Sequence, residues 1–396
     1  MAAVGFTQAT VAYMMAVAIP LTILRLGGAA YVVGLGMTAW ALGRSVMGLW
    51  GGRQYDRIGG RRGLTLGFGL FAAAAVGYAI APTPAVLVLV RLVQGVGAGL
   101  YWSVMLSVAG GTQMAATRLR RLSVFNALVS VGGIVGSLLG GWLMAFGIHV
   151  NMGVAAVLCV GLVAVAARIP PGGAAPAARP PAHPAGPPAG PLSSGRLART
   201  ALIVACSQLP AILSVGALPV LLVRAGMSAQ IIGGEYAVIV GGTLLGQAWL
   251  FARAHSLSSR RALHALYVLL AAGLTVFLAF SGVAALMVGL AVVGISVQLL
   301  ATVWVNEVQI AAGQGRVGSA TGVVRATSDF LSAATFPLVG VVEEYLVAAA
   351  GLLLTIVAAS GVVVWRSGAA LLGSPALHPS RPRAAEGGGH DPRHAG

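Results

Sequence analysis

Runs of about twenty apolar residues recur along almost the whole chain, and no other feature limits its fold so sharply. A helix needs about 20 residues to cross the ~30 Å hydrocarbon layer of a bilayer. Taking apolar runs between polar or Gly/Pro-rich breaks predicts spans near residues 5–25, 30–51, 64–82, 84–107, 122–145 and 150–168, then 201–222, 229–251, 263–281, 283–304, 318–341 and 345–365. Composition agrees: 58% of the 396 residues are hydrophobic, 8% are charged, and mean hydropathy is +0.92. A soluble domain wets its surface with roughly 25% charged residues. The expected fold class is therefore an all-α membrane protein of twelve transmembrane helices, with lipid around it as well as a core within.

The net charge is +16, and all of the strongly basic residues are arginine. On a compact domain that charge would point to nucleic acid; here it lies in short connections, so no nucleic-acid partner is expected. Arg53, Arg57, Arg61 and Arg62 follow the second span, Arg118, Arg120 and Arg121 the fourth, and Arg168, Arg179, Arg196 and Arg199 the sixth. Arg253, Arg260 and Arg261 follow the eighth, Arg316 the tenth, and Arg366, Arg381, Arg383 and Arg393 the twelfth. Arg25 and Arg224 alone occupy odd-numbered connections. The positive-inside rule then puts both termini in the cytoplasm and the chain in the inner membrane. The opening MAAVGFTQAT has neither the basic region nor the cleavage site of a signal peptide, so the first span is expected to stay. Cys159 and Cys206 lie in apolar runs and are read as small buried hydrophobes.

Residues 169–199 break the pattern with dense proline and alanine, a composition that favours extended, solvated backbone. They read as a cytoplasmic linker between one six-helix bundle at 1–168 and another at 200–366, and residues 367–396 read as a disordered tail. The halves align at an offset of 199 residues: Pro20, Arg25, Gly27, Ala30 and Gly34 fall on Pro219, Arg224, Gly226, Ala229 and Gly233. Gly43 falls on Gly242, Arg61 and Arg62 on Arg260 and Arg261, and Gly95 on Gly294. Two pseudo-symmetric bundles in parallel orientation, able to rock about a site between them, are what such a repeat predicts.

Between the second and third spans the chain reads GGRQYDRIGGRRGL, with a glycine four residues before Asp-Arg, then a glycine and paired arginines. The fourth span carries RLVQGVGAG, an arginine followed by Gln-Gly and small residues, and the fifth carries GSLLGG. In this order the three stretches resemble the signature motifs of the major facilitator superfamily, of the twelve-span, drug/proton-antiporter-like type. Gly52, Asp56, Arg57, Gly59, Arg61 and Arg62 occupy the places of the loop motif, although Gly60 displaces the basic pair by one. A carboxylate among arginines can hold helix ends together, and the resemblance implies that Asp56 latches the cytoplasmic gate; the plainer alternative is a positive-inside anchor. Arg91, inside an apolar run, costs at least ~2.5 kcal/mol if unpaired. The resemblance makes it a cavity residue for substrate or proton handling; otherwise it snorkels to the outer surface. Gly132, Gly136 and Gly140 form an i, i+4, i+8 stripe for close helix approach, joined by Gly141. GSLLGG is similar to an exporter motif in which proline stands where this chain has Ser137.

A proton-coupled step needs a group that changes protonation, and burial shifts a carboxyl group toward that role. Of eight acidic residues, Glu386 and Asp391 fall in the tail, Glu343 and Glu344 in an outer connection, Asp56 in the loop, and Glu307 at an inner helix end. Glu235 lies within the eighth span with no local partner, and Asp329 within the eleventh, four residues after Arg325. Such an i, i+4 pair either neutralises itself or takes part in coupling. The first, fourth, seventh and tenth spans line the centre in the superfamily's architecture. Tyr13, Trp102, Gln208, Gln298 and Trp304 are accordingly the first substrate-cavity candidates, the alternative being packing or interfacial aromatics. Few fixed charges beside several rings suit an amphipathic or weakly charged small molecule.

The resulting expectation is a secondary active transporter working by alternating access, exporting small organic molecules against protons, as a monomer in the bilayer. A metabolite importer or facilitator of the same superfamily is the alternative, and a non-transporting membrane sensor the reading from another class. HExxH, GxSxG, paired Cys/His and a lysine-bearing phosphate loop are all missing from the sequence, so no enzyme, metal or cofactor is expected.

Overall fold

A computed structural model describes residues 2–110, 115–169, 194–253, 260–279, 282–312, 317–338 and 355–363. Among these the chain is helical throughout, with no strand. The helices are α1 (Ala2–Arg25), α2 (Ala30–Ile80), α3 (Pro84–Gly110), α4 (Ala115–Leu143), α5 (Ile148–Ala167), α6 (Ser194–Arg224), α7 (Ala229–Arg253), α8 (Arg260–Ala279), α9 (Val283–Ala312) and α10 (Val317–Thr335). Short 3-10 turns follow at Met144–Phe146 and Phe336–Leu338, and residues 355–363 are also helical. Eight described helical segments are long and apolar enough to cross a membrane. The predicted linker and tail lie outside the described residues, apart from the linker's ends.

The predicted loop between the second and third spans is helical instead, so α2 runs through 51 residues. A straight helix of that length would reach about 76 Å, more than twice the hydrocarbon layer. Packing excludes it. A Cβ on Gly43 would lie 2.7 Å from the Leu92 carbonyl, and one on Gly67 would lie 3.0 Å from the Gly97 carbonyl. Residues about 36 Å apart on a straight rod thus meet neighbouring turns of α3, and α2 folds back between them as two antiparallel spans.

The repeat recurs in three dimensions. Both α1 and α6 end in a left-handed glycine, Gly27 at φ 77° and Gly226 at φ 73°. Gly28 N donates to Ile23 O at 2.9 Å, and Met227 N to Leu222 O at 2.9 Å. These are the same helix-ending turn, 199 residues apart, and they need a residue free of a Cβ penalty. Gly43 meets Leu92 O and Val96 N; Gly242 meets Ala291 O and Ile295 N. Gly95 meets Trp40 O, and Gly294 meets Ile239 O. Every one of these pairs is related by the same offset.

A large apolar cluster joins Met14, Phe68, Phe71, Leu87 and Met152 to Leu218, Ile232, Tyr236 and Leu290, so it crosses from the earlier helices to the later ones. A second joins α6, α8, α9 and Val357 around Leu266, Leu270 and Leu300. Large apolar side chains such as Ile80, Leu89, Val157, Val160 and Val268 point outward, as lipid-facing positions do. Cys159 and Cys206 are free thiols, the first fully buried.

Candidate functional site

Two seams join the helices before residue 169 to those after 194. In one, α2 meets α10: Gly34 lies against the Phe336 carbonyl, and the Thr38 hydroxyl donates to Ala333 O at 2.9 Å. Beyond them, Arg44 Nε donates to Asp329 Oδ2 at 3.1 Å, and its Nη2 pairs with Oδ1. In the other, α4 meets α7: a Cβ on Gly233 would lie 2.5 Å from Ser137 O, and one on Gly141 would lie 2.6 Å from Ala229 O. Gly34 and Gly233 are equivalent in the repeat, as are Phe336 and Ser137.

Asp329 therefore has a counter-ion from the opposite half, Arg44, which sequence spacing along its own helix does not reveal. Arg325 lies on α10, but its side chain is outside the described set, as are those of Gly52, Asp56, Arg57 and Gly59 on α2 and Glu307 on α9. Arg61 and Arg62 are exposed. Sequence reasoning passed over Arg44, although a charge inside the 30–51 apolar run is itself the signal. Its guanidinium also lies 4.2 Å from the centroid of the Trp40 ring.

Arg91 is 4% exposed, so it does not snorkel to the surface. Its Nη1 donates to Gln94 Oε1 at 2.6 Å and its Nη2 to the Met37 sulfur at 3.1 Å, while Nε has no hydrogen-bond partner among the described residues. Tyr78 donates to the same Gln94 oxygen at 2.8 Å, and Gln94 Nε2 points at the Met15 sulfur. The guanidinium sits 5.5 Å from the Trp40 centroid, so this ring is shared by both arginines. A cation held by an amide oxygen, a thioether and an aromatic face is stabilised without a carboxylate.

Glu235 is wholly buried, and neither carboxyl oxygen has a hydrogen-bond partner among the described residues. The next residue, Tyr236, donates to Val215 O at 2.8 Å and lies in electrostatic reach of Glu235, Arg91 and Tyr13. Tyr13 lies in reach of Arg44 and lines the close approach of Gly133 to Val240. The repeat makes the charges instructive. Gly36 leaves room that the Arg91 stem fills, its Cβ position 4.0 Å from Arg91 Cγ; the equivalents of Gly36 and Arg91 are Glu235 and Leu290. Each half buries one charge near the same junction, of opposite sign and on the opposite member of the helix pair.

The other candidates are more scattered. Gln208 Nε2 donates to Val297 O at 3.3 Å, tying α6 to α9. Gln298 bonds Thr302 within α9. Trp304 is buried beside Tyr267. Trp102 is half-buried, its ring 6.1 Å from that of Phe125, while its neighbour Tyr101 accepts a hydrogen bond from buried Gln8 of α1. The glycine stripe of α4 lies along α1, with Gly132 at Phe6, Gly136 at Thr10 and Gly140 at Met14.

Matched repeats of apolar helices, joined by two like seams with buried charges between them, define a polytopic membrane transporter. The chain belongs to the major facilitator superfamily: the family model described as Major Facilitator Superfamily matches residues 1–337. The fold is similar to that of a D-xylose-proton symporter, with a TM-score of 0.72 and 12% identity over 92% of this chain and 96% of that one. Among curated relatives, the uncharacterized MFS-type transporter Rv1250 of Mycobacterium tuberculosis is 33% identical over 140 residues, 34% of this chain and 23% of its own length. The multidrug resistance protein MdtH of Cronobacter sakazakii is 32% identical over 139 residues, 34% of this chain and 35% of its own. The matched stretches span well under two thirds of either relative.

Proposed function

We propose that this chain is a secondary active transporter that works by alternating access, exporting small organic molecules in exchange for protons across the inner membrane. The observation that carries the reading is Glu235, a carboxyl group wholly buried within α7 with neither oxygen hydrogen-bonded among the described residues. An unpaired charge in such surroundings is expensive, and a carboxyl group avoids that cost by holding a proton, which it releases on meeting water. A cycle that alternately encloses and wets Glu235 would therefore carry a proton with it. Export is supported by the resemblance of GSLLGG to an exporter motif and by relatives called multidrug resistance proteins. Arginines after even-numbered spans favour cytoplasmic termini, which makes the Gly27/Gly226 end the outer one. A proton-coupled importer is the second reading, favoured by the fold's likeness to a sugar-proton symporter.

Proteoliposome flux separates these. With a panel of amphipathic solutes and pH gradients imposed in either direction, solute should move opposite to the proton and accumulate in the more acidic compartment. Movement in the same direction as the proton would establish the importer, and flux indifferent to the gradient would remove proton coupling.

A further inference from the structure

Pro20 and Pro219, matched in the repeat, both lie inside helices, in α1 and α6. A proline has no N–H, so it leaves the carbonyl four residues earlier without its helical donor. For Pro219 that carbonyl is Val215 O, and the Tyr236 hydroxyl of α7 donates to it at 2.8 Å. The same arrangement recurs at Pro337, in the 3-10 turn after α10: Ala333 O, four residues before it, accepts from the Thr38 hydroxyl at 2.9 Å. A buried carbonyl without a donor is destabilising, and in both places a hydroxyl from another helix fills the gap. The first half keeps the proline but not the hydroxyl, for Gly36 and Met37 stand where the second half has Glu235 and Tyr236. Met37 takes Arg91 Nη2 on its sulfur instead. A Cβ on Gly36 would lie 3.7 Å from the Ile23 side chain and 4.0 Å from that of Arg91; the equivalents of those neighbours are Leu222 and Leu290, both buried. The acid and the tyrosine thus enter the repeat together, on adjacent residues.

We infer that Tyr236 is the positioning residue for Glu235: by filling the carbonyl that Pro219 frees, it fixes the rotation of α7 against α6 and keeps the Glu235 carboxyl group turned into apolar packing. The inference rests on the reading of Glu235 as proton carrier and adds what holds that group in place. Consecutive residues of a helix point about 100° apart, so a Tyr236 ring pinned to α6 leaves its neighbour a single direction. Tyr236 is 1% exposed, which shields the pin from water. The titratable groups in electrostatic reach of Tyr236 are Glu235 itself, Arg91 of α3 and Tyr13 of α1, and among the described residues none bonds the Glu235 carboxyl group. Without the pin α7 is free to turn, and a carboxyl group that turns toward water ionises.

Two measurements on purified, monodisperse protein test this, and neither needs a transported solute. The first is a double-mutant cycle in melting temperature. Tyr236→Phe leaves Val215 O without a donor and should lower the midpoint by about 3 °C or more. In a Pro219→Ala background residue 219 regains an N–H for that carbonyl, and the same change should lower the midpoint less than a third as much. Equal losses in the two backgrounds would overturn the assignment of Tyr236 to the carbonyl freed by Pro219. The second is the reaction of Glu235 with dicyclohexylcarbodiimide at neutral pH, read by mass spectrometry on the peptide that carries it. This reagent modifies a protonated carboxyl group in apolar surroundings. Tyr236→Phe should react at least fivefold more slowly than the natural protein. The double variant should lag Pro219→Ala by the same factor, although its melting temperature is nearly that of Pro219→Ala, a separation that a merely stabilising tyrosine would not produce. An unchanged rate in either comparison would overturn the positioning role. Failure of the natural protein itself to react at Glu235 would overturn the proton-carrier reading, and the inference with it.

Discussion

Glu235 and Arg91 are both buried, but only Arg91 has hydrogen-bond partners among the described residues, and their substitutions should separate accordingly. Glu235→Gln keeps shape and removes the exchangeable proton. It should fold normally and lose the response to an imposed pH gradient, while exchange of solute between equal pools survives; a retained gradient response would exclude Glu235 as the proton carrier. Arg91→Leu installs the residue found at the equivalent Leu290. The protein should remain folded, because the second half packs leucine at this junction, yet transport should fall at least tenfold, as measured by initial flux. Both residues stand out in the sequence as charges inside apolar runs. The partner of Asp329 does not: Arg325 is the nearest opposite charge along the helix, and Arg44, 285 residues away in sequence, becomes a neighbour only when the two bundles meet. A local pattern carries spacing along one helix, not the register between two.

Among the elements, α1 and α4 approach closely, and the glycines there have no slack. A Cβ at Gly136 would lie 2.7 Å from Thr10 Cα, and at Gly140 2.8 Å from Met14 Cα, against backbone that cannot swing aside. Gly136→Val should therefore cost about 1–3 kcal/mol or more by overpacking, and lower the melting temperature in detergent by roughly 5 °C or more. Gly161→Ala on α5 meets nothing within 4 Å and should leave it unchanged. The stripe was readable from its i, i+4, i+8 spacing, but its target was not, since several helices could have accepted it. Most helices were likewise legible from apolar run length. The α2 turn was read as loop because charged residues and glycines interrupt the apolar run there, and Gly and Asp are weak helix formers in isolation, a preference that packing of both flanking spans on α3 overrides.

For the molecule as a whole, orientation is the open test. Substituted cysteines in the Asp56 turn and in the proline-rich bridge should both react with an impermeant reagent only from the cytoplasmic side; labelling from opposite faces would dismantle the topology. The repeat offset of 199 residues, visible from Pro20/Pro219 and Arg25/Arg224, reappears in the Gly27 and Gly226 turns and in the glycine contacts of both helix pairs. The matched architecture was thus written in the chain. The chemistry that distinguishes the halves was not, because it lies in positions where the repeat is broken.

The apolar cluster running from Met14 and Phe68 through to Tyr236 and Leu290 has a thermodynamic consequence. Any conformer that parts the halves on that side must surrender some of these contacts to water, and newly wetted hydrocarbon raises heat capacity. The balance between open and closed forms should then bend with temperature instead of following a straight van't Hoff line, with the closed form losing ground toward the cold as well as toward the heat. A solute that fills the parted space would flatten that curve by standing in for the lost neighbours.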